Sequence, residues 1–322
     1  MKKVSVIIPN WNGRKLLEKN LPYLMKALDF SGQDNEVIVV DDGSTDESVD
    51  FLRTNYPTIK LIVSKNQGFG RACNLGVREA KNEIILLLNN DAQVMIDFLS
   101  PLLKHFQNED IFAVAGNDDY PHKFGNLCCQ VTKFNWGFFG YKHLTVREES
   151  LIGKAVSVLY PYGACAAFDR KKFLALRGFD PLFRPFYVED LDLAFRAWKR
   201  GWKSLYENES RYYHQRGASI RKKYSPFFVK SILWKNRFLF IWKNITTRKL
   251  FFQHLIFLPL LVLGAPFLGK IHFSLGFLLA LGQMKEALKK RRREKGKFTD
   301  SEIIKMFQEG YWSNEDAIYG TK

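Results

Sequence analysis

The sequence predicts an α/β fold built on a mostly parallel sheet flanked by helices. Three observations carry that expectation. Apolar runs of strand length alternate with stretches of helical periodicity through the first 90 residues, the pattern of successive βα units. The apolar runs end in polar clusters rather than in hairpin turns. And the 322 residues are 46% hydrophobic and 25% charged, globular values that exclude a disordered or collagen-like chain.

Residues 4–8 form the first apolar run, closed by Pro9, and read as a buried strand. The run is shorter than a secretory h-region of roughly 7–15 residues, so the catalytic mass is expected in the cytoplasm. Leu16, Leu17, Leu21, Leu24 and Leu28 then recur at helical spacing. Residues 36–40 are a second strand ending in Asp41-Asp42-Gly43-Ser44, where Ser44 or Thr45 is expected to cap the next helix. Residues 60–63 read as a third strand, followed by the turn Asn66-Gln67-Gly68-Phe69-Gly70 and a helix to about Lys81. Residues 84–88 are a fourth strand running into Asn89-Asn90-Asp91.

Further on the pattern changes. Residues 117–150 are aromatic and turn-rich, as expected of loops or a hairpin. Residues 186–200 read as a helix with Glu189, Asp190 and Asp192 near its start, and 225–243 as another, rich in aromatic and basic residues. Two apolar stretches follow at 250–269 and 271–284, then the basic run 289–293 and a short helix at 301–308. The four cysteines (Cys73, Cys128, Cys129, Cys165) lack CxxC spacing and are expected as buried or half-buried thiols in a reducing compartment, neither a disulfide scaffold nor a zinc site.

In open α/β sheets, ligands bind beyond the carboxyl ends of the strands. Pro9-Asn10-Trp11-Asn12, Asp41-Asp42 and Asn89-Asn90-Asp91 occupy that edge. One strand-end carboxylate alone reads as a helix cap. Several on one rim suggest a nucleotide and a hard cation, because Mg²⁺ or Mn²⁺ is held by one or two carboxylates plus substrate phosphates. A nicotinamide site fails: Gly68-Phe69-Gly70 is followed by Cys73 where glycine or alanine is needed, and the turn follows the third strand. No P-loop and no nucleophilic triad is present in the sequence.

The motifs together resemble the family 2 inverting glycosyltransferases of GT-A fold, and within them the rhamnosyltransferase-like branch of bacterial surface-polysaccharide synthesis. The resemblance rests on Val4-Ser-Val-Ile-Ile-Pro-Asn-Trp-Asn-Gly13, Val39-Val-Asp-Asp-Gly-Ser-Thr-Asp46, Asn66-Gln-Gly-Phe-Gly-Arg-Ala-Cys-Asn-Leu-Gly76, Leu86-Leu-Leu-Asn-Asn-Asp91 and Phe186-Tyr-Val-Glu-Asp-Leu-Asp-Leu-Ala-Phe-Arg196 with Gly201-Trp202. These occur in the family's order and cover residues 1 to about 215. The resemblance implies that Pro9, Asn10 and Asn12 line a nucleotide pocket, with Asp42 and Asp41 accepting hydrogen bonds from base or ribose. It also places Asn66, Gly68, Arg71 and Asn90 beside the donor, and Gly163 in a small-residue segment that lets substrate approach the backbone.

Asp91 matches the last carboxylate of the family's DxD motif, while its first position is Asn89, so one metal-facing charge is lost. His214, 24 residues after Asp190, stands where family members place a metal-binding histidine. A cation there would offset the charge that a leaving nucleoside diphosphate acquires. Glu189-Asp190 resembles the base motif, and an inverting displacement needs one carboxylate to take the acceptor hydroxyl's proton; Asp190 is assigned that role. A purely structural reading, an acidic first turn matching the helix dipole, suits Glu189 and Asp192 better than it suits the pair.

The net charge of +16 is unevenly spread. Residues 1–210 carry 27 basic and 26 acidic side chains, and residues 211–322 carry 22 and 7. Such a tail could suggest nucleic acid, but its interleaving with uncharged stretches argues against that. Residues 250–269 are long enough to span a bilayer, yet Pro259, Gly264 and Pro266 interrupt them, and the second stretch is short. Basic residues flank both ends, at Arg248-Lys249 and at Lys285 and 289–293. A hairpin or interfacial pair fits that symmetry better than one crossing, and each basic residue adds roughly 1 kcal/mol towards an anionic leaflet. The competing reading is a buried C-terminal helix pair with a solvated basic face.

The sequence therefore implies a catalytic domain over residues 1–215 and a basic helical membrane-associating region over 216–322. The expected activity is transfer of a sugar from a nucleoside-diphosphate-sugar donor (dTDP-rhamnose or a UDP-sugar) to a polyprenyl-diphosphate-linked saccharide, with Mg²⁺ or Mn²⁺, at the cytoplasmic face of an anionic membrane. A nucleotidyltransferase would instead release pyrophosphate. A non-catalytic partner of another transferase is the remaining alternative, against which Asp91 and Asp190 speak.

Overall fold

The computed structural model describes all residues except 1, 119–125, 147–153, 162–163, 215–223, 292–295, 309–317 and 321–322. The first half follows the βα alternation. Strands β1 (Val4–Asn10), β2 (Glu36–Asp41), β3 (Lys60–Val63) and β4 (Ile84–Leu88) lie parallel, connected by helices α1 (Arg14–Phe30), α2 (Ser48–Asn55) and α3 (Phe69–Glu79). Their side chains alternate between two cores with the period of two that a strand imposes. Val4, Val6 and Ile8 of β1 join one core, with α1, and Ile7 joins the other, with α3. A sheet covered on both faces is what near-continuous apolar strands require.

The sheet is mixed rather than mostly parallel. After the short strand β5 (Ala92–Val94) and helix α4 (Leu99–Leu103), β6 (Ile111–Asp118) leads into a hairpin of β7 (Asn126–Asn135) and β8 (Phe138–Val146). Then come β9 (Lys154–Ser157) and β10 (Cys165–Asp169), which lies antiparallel between β4 and β6. Parallel pairing needs a crossover helix, and the route from β6 to β10 supplies a hairpin instead. Helices α5 (Arg170–Ala175) and α6 (Glu189–Lys199) precede β11 (Lys203–His214), which pairs with β6, β9 and β5. The full order is β12-β9-β11-β6-β10-β4-β1-β2-β3, with β12 (Ile318–Gly320) at the edge.

Two local expectations are corrected. Ser44 and Thr45 do not cap α2: the Ser44 hydroxyl donates to the buried Asp41 carboxylate at 2.6 Å, and the helix begins at Ser48. The helix expected from 186 begins at Glu189, because Tyr187 and Val188 take φ of 71° and 76°, backbone that no right-handed helix admits.

The C-terminal helices α7 (Pro226–Asn244), α8 (Arg248–Gly264), α9 (Ile271–Leu281), α10 (Met284–Lys290) and α11 (Asp300–Met306) follow. The domain boundary expected at 215/216 falls outside the described residues. Phe195 and Trp198 of α6 share one core with Phe238 and Ile241 of α7, Phe273 of α9 and Phe307. The hairpin is fastened to α8: Trp242 Nε1 donates to His254 Nε2 at 3.1 Å, and His254 Nδ1 lies 2.7 Å from Gly137 O. Indole N–H only donates, so His254 is neutral with its proton on Nδ1, consistent with burial holding its pKa below the usual histidine range.

A buried ionic clamp joins the two halves. Lys243 Nζ of α7 lies 2.7 Å from Asp192 of α6 and 2.7 Å from Asp180, and Lys290 of α10 lies 2.6 Å from Asp180. Arg196 and Asn244 also donate to Asp192, at 2.9 and 2.8 Å. Against the upward push of burial, these cations hold both carboxyls below the usual aspartate range.

The other faces of α8 and α9 are exposed and apolar. Leu260 and Leu263 of α8 are each 70% exposed, Leu278 of α9 is exposed, and Phe267, in the turn between the two helices, is 91% exposed. Among the described residues, no helix is long and apolar enough to cross a membrane.

Replacing one member of the clamp isolates buried charge, which costs about 3–5 kcal/mol. Lys243→Met is expected to lower unfolding free energy by that order in urea denaturation. The loss should shrink on acidification, because the carboxyls are low in the fold: their contribution is complete above the unfolded value and fades as pH falls through the folded one.

Candidate active site

The carboxyl ends of β1, β2 and β4 converge on one polar network. Asn10 Nδ2 donates to Asp41 Oδ2 at 2.9 Å, and Asn90 Nδ2 donates to Asn10 Oδ1 at 2.7 Å. Asp41 accepts further from the backbone and hydroxyl of Ser44, and Ser44 Oγ in turn accepts from Asn12 N at 2.8 Å. Asn12 sits at φ 49°, a conformation asparagine tolerates better than most residues. Gly13 is demanded by proximity: a Cβ there would lie 2.2 Å from Asn90 Nδ2 and 2.3 Å from Asn10 Oδ1. Pro9 pairs in register with Val40, within the same strand ends.

Asp42 holds the next loop. Its carboxylate accepts from Gln67 N at 2.9 Å, Gly68 N at 2.7 Å and Ser64 Oγ at 3.1 Å. Most of the acceptor capacity of a carboxylate is thereby used, so Asp42 shapes the loop carrying Asn66, Gly68 and Arg71. Gly68, at φ 90°, turns that loop into α3. Arg71 is exposed on the first turn of α3 and bonds Gln67.

Asp91 and His214 come together, as their strands β5 and β11 pair with His214 opposite Ala92. His214 Nε2 lies 3.1 Å from Asp91 Oδ1. Asp118, at the end of β6, lies 3.8 Å from His214 Nδ1 and accepts from His214 N at 3.3 Å. Asp118 was not anticipated, although it closes an apolar strand in the same way as Asp91 does. Among the described residues, no three His, Cys, Asp or Glu side chains form a preassembled metal cage. One carboxylate and one imidazole make a donor set suited to a borderline-hard divalent ion such as Mn²⁺, the remaining ligands coming from substrate phosphate and water. The residues present fit such an ion. Gly163 lies outside the described residues.

Glu189 and Asp190 open α6, half-buried. Burial, together with the charge of Asp190, pushes the Glu189 carboxyl well above the usual range, and burial also raises Asp190. Asp190 Oδ1 accepts from Leu191 N at 2.7 Å, whereas Glu189 Oε2 has no hydrogen-bond partner. The loop before them is held from α7: Asn236 Nδ2 donates to the carbonyls of Phe183, Phe186 and Tyr187 at 2.7, 2.9 and 2.9 Å, and Lys235 Nζ to that of Arg184 at 2.6 Å. Arg184 donates through Nε and Nη2 to Gln67 O at 3.0 and 2.7 Å, which joins the Glu189-Asp190 loop to the loop shaped by Asp42. No sequence signal marks these partners, since Lys235 and Asn236 lie about 50 residues from what they hold.

The family model described as Glycosyl transferase family 2 matches residues 5–175. A Campylobacter jejuni GalNAc(5)-diNAcBac-PP-undecaprenol beta-1,3-glucosyltransferase is 28% identical over 221 residues, 67% of this chain and 63% of that protein. The O-antigen chain rhamnosyltransferase WbaN of Salmonella anatum is 23% identical over 200 residues, 62% of each chain. The chain thus spans less than two thirds of the length of these relatives. Among solved structures, the mannosyltransferase PcManGT of Pyrobaculum calidifontis, in complex with GDP-Man and Mn²⁺, superposes with a TM-score of 0.54 at 19% identity. That superposition covers 88% of this chain and 75% of the other, a likeness of fold.

Proposed function

The chain belongs to Glycosyl transferase family 2, and from that premise we propose that it is an inverting, metal-dependent glycosyltransferase of bacterial surface-polysaccharide synthesis. It would move a sugar from a nucleoside-diphosphate donor to a lipid-linked saccharide. The observation that carries this reading is the bond between Arg184 and Gln67, which sets the raised carboxyl pair beside the loop of the nucleotide-side strand ends. The relatives' names, which include an undecaprenol-linked acceptor and a rhamnosyltransferase, support the substrate class.

Pro9, Asn10, Asn12, Asp41, Asp42, Asn66, Gly68, Arg71 and Asn90 form the donor side, with Asp41 and Asp42 acting through the loops they hold. Asp91 and His214 hold the divalent cation, which supplies charge compensation to the departing diphosphate. Asp190 accepts the proton of the acceptor hydroxyl as that oxygen attacks the anomeric carbon, and the bond from that carbon to the diphosphate oxygen breaks with its electron pair leaving on the diphosphate. Asp190 accepts a hydrogen bond from Leu191 N while the buried Glu189 Oε2 has no partner among the described residues, so the pair's proton is better kept on Glu189. A neutral Glu189 leaves the negative charge on Asp190, where the proton is taken.

We propose further that α8 and α9 lie on the membrane surface. Their exposed apolar side chains are bordered by exposed Arg248, Lys249, Lys270, Lys285 and Lys289, which suits an in-plane helix pair on an anionic leaflet.

Asp190→Asn is expected to retain donor affinity and lose about 10²–10⁴ in kcat, read as nucleoside diphosphate released from a sugar-nucleotide panel with Mn²⁺. An active variant would refute the assignment. In the unsubstituted enzyme, the acid limb of kcat should lie at least about one pH unit above the ~3.9 of an ordinary aspartate, because the base must be ionised and its pKa is raised. Asp91→Ala should abolish Mn²⁺-dependent donor binding in calorimetry; an unchanged Mn²⁺ requirement rules out Asp91 as ligand. The doubly substituted Leu260→Glu, Phe267→Glu protein should stay in solution when phosphatidylglycerol vesicles are sedimented, whereas undiminished co-sedimentation removes α8 and the turn after it from the contact.

A further inference from the structure

Arg237 lies on the middle of α7, half-buried, with its guanidinium 4.9 Å from the Trp234 ring centroid and 5.7 Å from that of Tyr141 on β8. The Tyr141 ring in turn packs edge-on against Tyr160, with ring centroids 5.4 Å apart. No described carboxylate pairs with Arg237. Arginine stays charged at any working pH, and a partly desolvated cation without a counter-ion is costly. The neighbouring buried cations of α7 and α6 are satisfied, Lys243 by Asp180 and Asp192 and Lys199 by Asp300. Among the described residues, Arg237 differs from them in facing the rings of Trp234 and Tyr141 and no carboxylate.

Its position orders the molecule. On one side, Trp234 packs at 4.6 Å on Phe273 of α9, the helix whose outer face carries exposed Ile271 and Leu278. On the other, Tyr141 lies on β8, whose Phe139 packs at 6.0 Å on Phe195 of α6, the helix that Asp190 helps to open. Ring contacts thus connect the guanidinium both to the helix with the exposed apolar face and, through β8, to the helix of Asp190.

We propose that Arg237, cradled by Trp234 and Tyr141, binds the diphosphate group of a lipid-linked acceptor. A planar guanidinium takes two phosphate oxygens at once. The order of sites then matches the order of groups in such an acceptor: prenyl chain, diphosphate, and the sugar whose hydroxyl reaches Asp190. This rests on the lipid-linked reading of the acceptor above and adds the residue that selects its charged group.

The test is calorimetry on the full chain in EDTA, so that no metal-assembled diphosphate site contributes. Farnesyl diphosphate, farnesol and inorganic diphosphate are titrated into the unsubstituted protein, Arg237→Gln and Arg237→Lys. Farnesyl diphosphate should bind more tightly than either other ligand. Arg237→Gln should weaken it by roughly 10- to 100-fold while leaving farnesol unchanged, and Arg237→Lys should recover part of the loss. The unaltered farnesol binding reports that the variants are folded. Equal farnesyl diphosphate affinity in Arg237→Gln overturns the inference, as does inorganic diphosphate binding as tightly as the prenyl ligand, which would mark a free-anion site. The lipid-linked reading is judged separately, by product mass from a polyprenyl-diphosphate saccharide with the unsubstituted enzyme; it stands or falls whatever Arg237 does.

Discussion

The buried carboxylate of Asp192, shared among Lys243, Arg196 and Asn244, is the contact on which the rest of the structure depends. It lies two residues beyond Asp190 on α6, so whatever fixes Asp192 fixes the first turn of that helix. Lys243 comes from α7, and Lys290, through Asp180, from α10. The last third of the chain is therefore part of the framework that positions Glu189 and Asp190, the proposed catalytic carboxylates. A buried ion pair earns little net stability over apolar packing but is intolerant of losing one partner, and that intolerance gives a clamp its directional value.

The same helix turn shows how environment divides one residue type into two jobs. Asp192 is surrounded by cations and is held low. Glu189 and Asp190, in the same first turn, are desolvated with no cation beside them among the described residues and are raised. Perturbation by burial plus a neighbouring like charge, in a cleft, is the signature expected of proton-transfer groups, whereas perturbation by a full set of cationic partners is the signature of scaffold. Both carboxyl types were equally visible as acidic letters near a helix start.

The excess basic charge divides in a similar way. Part lies inside: Lys243 and Lys290 close the clamp, Lys235 braces the loop before Glu189, and Arg291 covers the ring of Phe251. What remains outside borders the exposed apolar faces of α8 and α9. The competing expectations for the tail, buried helix pair or surface-seeking pair, each describe one face of the same helices. Phe273 and Ala280 of α9 are buried while Leu278 and Leu281 are exposed.

The sequence by itself determined the first four strands, because continuous apolar runs closed by polar clusters admit few other conformations, and it determined the rim of Asn10, Asp41, Asp42 and Asp91, because the ends of parallel strands share an edge. Asp118 was readable by the same rule. Two features were decided only by the tertiary structure: the antiparallel insertion of β10, and the grip of Lys235 and Asn236 on the loop before Glu189. The physical reason is range. Periodicity and strand-end chemistry are written within a few residues, whereas an ion pair or a carbonyl grip between residues about 50 apart exists only once burial has removed water and left each buried polar group to find its partner within the fold.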